Sequence, residues 1–283
     1  AISKQMVARP KREFKRILGI SLGGGRGKNT AVACLETREG QARVLSVGLR
    51  DEASRPWYDE VLTETVLASS DETLVAIDAP LTLPSCVRCP EERCPGIERC
   101  PFDSVQWLRA LETEKPRRIK RRGKRKPSFS PYTQRVCEKY LEKEHGVVLR
   151  EALGHSVGPL TSRAQHLKRR WKGEFSLNQN LLEVRPKVTV QVLFGRTAAR
   201  GYHRGPRTWE TRAGLLEELA AWMDFTVWRE PILQSRRCFK ALLCGFTALL
   251  WSREGWEIPE ELTALAREDG WIWAPKSERK SLA

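Results

Sequence analysis

The sequence has no uninterrupted run of the roughly 20 apolar residues needed to cross a bilayer. Its opening stretch, AISKQMVARPKREFKR, has no apolar segment of the kind that directs secretion. No membrane partner is expected, and the expected location is the cytoplasm. Acid is also in short supply, with 35 Asp and Glu against 50 Lys and Arg and a formal net charge of +15. A surplus of that size draws polyanions, of which nucleic acid is the usual one. The histidines His145, His155, His166 and His203 are scattered and show no catalytic spacing, and no internal repeat is present. What remains is ordinary for a protein with a core: 283 residues, 40% hydrophobic and 30% charged. That length suits one large domain carrying an insertion, read here as residues 1–283 with the insertion at 84–130.

Apolar periodicity divides the chain. Ile17 to Leu22, Thr30 to Leu35 and Ala42 to Leu49 are short runs separated by glycine-rich turns, which predicts a β-meander. Trp57 to Leu67 has apolar residues at helical spacing, and Thr73 to Ile77 is a fourth strand ending in Asp78-Ala79-Pro80. In that order the first and fourth strands are expected to lie side by side and parallel, bringing positions 21 and 78 together. The segment from Pro84 to Pro101 is too rich in cysteine and proline for regular structure. Helices are expected at Val105–Leu111, Pro131–Glu144, Leu160–Trp171, Trp209–Met223, Arg236–Trp251 and Ile258–Arg267. Strands are expected at Asn180–Val184, broken by Pro186, and at Gly270–Ala274. Arg236–Trp251 is apolar around most of its circumference and belongs in the core against a sheet.

Four of the eight cysteines, Cys86, Cys89, Cys94 and Cys100, fall within fifteen residues in the spacing C-x2-C-x4-C-x5-C. A reducing compartment argues against disulfides, and clustered soft thiolates suit Zn²⁺ or an iron–sulfur cluster. Zinc ribbons usually split their ligands into two separated knuckles. Here the ligands form one uneven group with three Cys-Pro steps, which favours an iron–sulfur centre (4Fe-4S) over Zn. The competing reading is four unrelated buried cysteines.

The run KPRRIKRRGKRK, residues 115–126, includes Lys120, Arg121, Arg122, Lys124, Arg125 and Lys126 and has no apolar periodicity. It is expected to be a loop that neutralises phosphates, or else a solvated linker or a localisation signal. The glycine cluster SLGGGRGKNT resembles a phosphate cradle but fails the P-loop spacing, and a hairpin turn is the simpler reading. Asp78 at the end of one apolar strand and Glu183 within another are costly to bury unless each binds a cation or caps backbone.

The segments ILGISLGGGRGKNTAVACLE, VAIDAPLTLP, LLEVRPK, FKALLCGFTALLW and DGWIWAP occur in an order that resembles a family of predicted nucleases. That family is similar in fold to ribonuclease H and is catalogued mainly as a domain of unknown function; some members carry a cysteine-rich insertion after the IDAPL motif. The resemblance implies an α/β fold, a mixed sheet flanked by helices. It also implies a divalent-metal site with one Asp on the first strand, one at IDAPL and one on the core helix. Asp78 matches the second, but Ser21 and Lys240 stand at the other two positions. Two-metal hydrolysis needs several carboxylates to hold its ions.

The expected function is therefore nucleic-acid binding on a ribonuclease H-like scaffold, with an impaired acidic site and a four-cysteine centre. An active nuclease using Mg²⁺ or Mn²⁺ at Asp78, Glu183 and a further carboxylate is the alternative. An actin-like ATPase or sugar kinase is a third reading, with a similar strand order but only one glycine-rich hairpin.

Overall fold

A computed structural model describes residues 13–24, 29–38, 41–68, 72–114 and 129–276. The first apolar runs form β1 (Arg16–Ser21), β2 (Ala31–Arg38) and β3 (Gln41–Gly48), paired antiparallel in succession. Helix α1 (Asp59–Leu67) then crosses over, and β4 (Thr73–Ile77) returns parallel to β1, with Ile20 opposite Ile77. Asp78 N–H donates to the Ile20 carbonyl, which fixes Ser21 and Asp78 as neighbours at the strand ends.

The cysteine-rich stretch follows as two single 3₁₀ turns, Ser85–Val87 and Ile97–Arg99, before α2 (Asp103–Glu114). Next come α3 (Val136–His145), α4 (Gly158–Arg170) and β5 (Leu181–Val184). Pro186 does more than end the strand. It opens a helix, α5 (Pro186–Gly201), that the breaker reading of proline overlooks. Proline is favoured at the first helical position, where its missing N–H has no intrahelical acceptor to lose. The remaining elements are α6 (Thr208–Leu219), β6 (Met223–Asp224), α7 (Arg229–Gln234), α8 (Arg236–Glu254), α9 (Thr263–Asp269) and β7 (Ile272–Trp273). Met223, expected at a helix end, instead starts the short strand β6.

The seven strands form one mixed sheet in the order β6-β3-β2-β1-β4-β5-β7. Strand parity sorts its faces. Ile17, Leu74, Ala76, Leu182 and Val184 join the core under α8, while Leu18, Ile20, Val75, Ile77 and Leu181 pack with α1 and α4 on the other side. Helix α8 is buried along most of its length and lies across β1, β2 and β4. Its approach depends on glycine. A Cβ at Gly19 would collide with the Ala241 carbonyl and the Gly245 amide, and would stand 3.0 Å from Gly245 Cα. No helix among the described residues is long and apolar enough to cross a membrane.

The two glycines at this crossing should differ in tolerance. Gly19→Ala drives a methyl group into helix backbone that cannot rotate away, so it should cost more than about 3 kcal/mol. Gly245→Ala meets only the flexible Leu35 side chain, so its cost should stay near about 1 kcal/mol, partly offset by better helix propensity. Urea unfolding of both variants checks the order. Equal losses would mean that the close approach of α8 to β1 is not what the glycines serve.

Candidate functional site: charges at the strand ends

The carboxyl ends of β1, β4 and β5 converge on a cluster of ionised side chains. Lys240, in the second turn of α8, forms an ion pair with Asp78. Arg185, just past the end of β5, reaches both acids, with Nη1 3.5 Å from Asp78 and Nη2 3.0 Å from Glu183. Burial alone would raise the Asp78 pKa. The positive charges of Lys240, Arg185 and Arg237 outweigh it and hold the carboxyl below the ordinary range. Ser21 is fully buried here, and its hydroxyl has no hydrogen-bond partner among the described residues. Ser21, Asp78 and Lys240 therefore come together, as one serine, one acid and one base.

Glu183 lies on the other side. Its register partner is Ile77, whose side chain faces α1 and α4, whereas Asp78 follows on the α8 face. Both Glu183 oxygens are occupied. Arg135, immediately before α3, donates to them over 2.6 and 2.8 Å, and Leu81 N–H adds a third bond at 2.8 Å. Arg135 has no solvent exposure and also binds Glu138 and the Thr82 hydroxyl, so every N–H of its guanidinium has an acceptor. Burial would raise the Glu183 pKa, but Arg135, Arg185 and the Leu81 amide bring it down. At Glu138 burial prevails and the pKa rises, although Arg135 lies against it.

A divalent ion does not fit these residues. Asp78 is neutralised by a lysine and an arginine, and both Glu183 oxygens are already engaged by arginines. A cation brought to Asp78 would meet Coulomb repulsion from Lys240 before it found a second carboxylate.

The cysteines lie beside this network. Ser85, at the start of the first 3₁₀ turn, bonds through its hydroxyl to the Asp269 carboxylate at the end of α9. Arg88 reaches the same carboxylate over 3.1 Å, and Val136 N–H donates to it over 3.2 Å. Cys86, Cys89 and Cys100 are half-buried, Cys94 is exposed, and none is in a disulfide. Burial raises the Cys86 pKa, and the neighbouring Cys100, Cys94 and Cys89 raise it further. Among the described residues, no three His, Cys, Asp or Glu side chains are gathered closely enough to hold a metal ion. The donor set suits a soft metal in chemistry, while the loop as described leaves its sulfurs apart.

Lys120, Arg121, Arg122, Lys124, Arg125 and Lys126 fall outside the described residues. A different cationic surface is present. From Arg185 to Trp209, and again from Pro231 to Arg253, the sequence contains no Asp or Glu. The first stretch exposes Arg196, Arg200 and Arg204 on and after α5, and the second exposes Arg236 at the start of α8. After burial, it is the charge of Arg200, Arg196, Arg204 and Arg150 that depresses the Lys187 pKa. Burial and then Arg204, Lys187 and Arg236 act likewise on His203, favouring its neutral form. Cations this close repel one another, and the two stretches that carry most of them contain no acid. Arg236 and Arg237 also sit in the first turn of α8, where the helix dipole is already positive. The absence of acid across 185–209 is the sequence signal that would have found this surface; Arg135, an isolated arginine in a polar stretch, carries no such signal.

Comparison with protein-family models, with curated proteins and with solved structures finds no match for this chain.

The lowered pKa of Glu183 fixes a sign for the pH dependence. A carboxylate with a depressed folded pKa adds stability above its unfolded value, here near 4.5, and that stability is lost as pH falls through the folded value. Glu138 acts in the opposite sense. Glu183→Gln should therefore cost about 3 kcal/mol at neutral pH, because Arg135 and Arg185 lose their shared acid. The loss should shrink as the wild type is acidified below pH 4.5. Parallel stability curves for the two proteins between neutral and acid pH would remove Glu183 from this role.

Proposed function

We propose that this chain binds nucleic acid on a ribonuclease H-like scaffold whose acidic position no longer supports metal-dependent hydrolysis. The observation that carries this reading is the set of exposed arginines on α5 and at the start of α8, in two sequence stretches without Asp or Glu, the second of which includes Lys240 of the ion pair with Asp78. Phosphates are the polyanion that such a surface suits, through charge neutralisation and counterion release. The scaffold reading is supported by the meander β1-β2-β3 followed by parallel β4 with an acid at its end. It is supported also by α8, which carries the third ligand position of the resemblance next to that acid. Lys240 takes the place of a metal: it balances Asp78 and keeps the strand ends together without offering an ion for water activation.

Cys86, Cys89, Cys94 and Cys100 hold a soft metal centre in this reading, an iron–sulfur cluster rather than zinc. Binding would draw the sulfurs of the two 3₁₀ turns together, so metal affinity and local folding are coupled.

Two measurements test the proposal. Binding to a labelled oligonucleotide should weaken steeply with salt. Replacing Arg200, Arg204 and Arg236 by Ala should reduce the salt slope by about one for each phosphate no longer neutralised. No cleavage should appear with Mg²⁺ or Mn²⁺. Ser21→Asp alone should leave it absent, whereas Ser21→Asp with Lys240→Asp should gain Mn²⁺ binding by calorimetry. Cleavage by the unaltered protein would overturn the hydrolysis part, and salt-independent binding the phosphate part.

For the cysteines, anaerobically purified protein should contain iron with inorganic sulfide, or one zinc per chain. Cys89→Ser should release it and expose the loop to protease. Metal-free protein that resists protease equally would refute the centre.

A further inference from the structure

We propose that the cationic surface takes single-stranded rather than duplex nucleic acid, with Trp209 as the platform on which a base stacks; this rests on the nucleic-acid reading above. Of the chain's ten tryptophans, nine are buried or half-buried and serve the core, among them Trp171, Trp251 and Trp273. Trp209 is 60% exposed. A single exposed apolar residue needs no explanation by itself. The position of this one does.

Trp209 sits in the first turn of α6, two residues after Arg207 and five after Arg204, at the end of the acid-free stretch. The connection before it reverses direction at Gly205, whose φ of +106° is strained for any side chain. The reversal lays α6 back against the end of α5. Arg212 holds it there: Nε donates to the Tyr202 carbonyl over 2.9 Å, and Nη1 to the Leu233 carbonyl over 2.8 Å. The Thr211 side chain also fits against Gly201, where a Cβ would come within 2.7 Å of the Thr211 hydroxyl. The indole is therefore carried on a helix pinned to the same segment that presents Arg200 and Arg204. It does not hang from a free loop.

That pairing of parts selects the partner's strand state. Cations at the phosphates serve single and double strands alike. An exposed indole gains only from a base whose face is open, and in a duplex each face is covered by the next base pair. Base–aromatic stacking adds roughly 1–3 kcal/mol for a base that is free to stack. The same stacking is tolerant of sequence, so the surface distinguishes strand state rather than base identity.

The test uses the full chain and four labelled probes: oligothymidylate, oligouridylate, a DNA hairpin duplex and its RNA counterpart. Trp209→Ala should weaken binding to both single strands about tenfold, leave both duplexes unchanged and keep the circular dichroism of the parent. Trp209→Phe should retain most of the affinity. The two single-strand probes also separate DNA from RNA as the ligand. If Arg200→Ala with Arg204→Ala weakens all four probes while Trp209→Ala weakens none, the stacking inference falls and the phosphate-binding proposal stands. If the unaltered protein binds none of the four, both fall.

Discussion

A guanidinium with no access to water organises one half of this protein. Arg135 joins Glu183 of the sheet, Thr82 of the loop after β4 and Glu138 of α3. A buried ion of this kind is expensive unless each of its hydrogen-bonding groups is matched, and here they are. The cost of getting it wrong is what gives the pairing its directing role. Shifting β5 by one residue would turn Glu183 toward α8 and leave Arg135 buried with only Glu138 as its acid. The register of β4 against β5, and with it the place of Arg185 between Asp78 and Glu183, is held by that requirement.

The two acids at the strand ends thus do different work. Glu183 and Arg135 tie the sheet to the helices that follow the cysteine segment. Asp78 and Lys240 face the surface of α5 and α8, and their charges cancel. A strand end that holds a metal needs an excess of negative charge; here the local excess is positive, with Arg185 and Arg237 added to a balanced pair. In the proposed function that sign reversal turns a place for a divalent cation into a continuation of a phosphate-binding surface.

Much of the sheet is legible in the sequence. Runs such as Ile17–Leu22 and Thr73–Ile77 are apolar because both faces of the inner strands are covered. Helix α8 is legible for the same reason. The acids in apolar strands stand out as Asp78 and Glu183, but not the side each one takes. That depends on Glu183 pairing with Ile77, a register that neither strand encodes alone. Helix α5 is hidden because Pro186 reads as a breaker when it sits at a helix start. Two-residue strands such as β6 leave no periodicity to detect. The burial of Arg135 and the exposure of Trp209 are invisible for a common reason: a single residue's burial or exposure is decided by elements far away in the chain.

Asp269 illustrates that distance. Its carboxylate receives Ser85, Arg88 and Val136, and its carbonyl receives the Thr82 hydroxyl. The segment bearing Cys86 is thus locked by a residue made more than 180 positions later. During synthesis, the thiols emerge long before their clamp and remain on an unfastened loop until Asp269 has left the ribosome. If these thiols hold a centre, as proposed, the chain has its sulfurs early and the clamp that positions them only late, and insertion would follow synthesis.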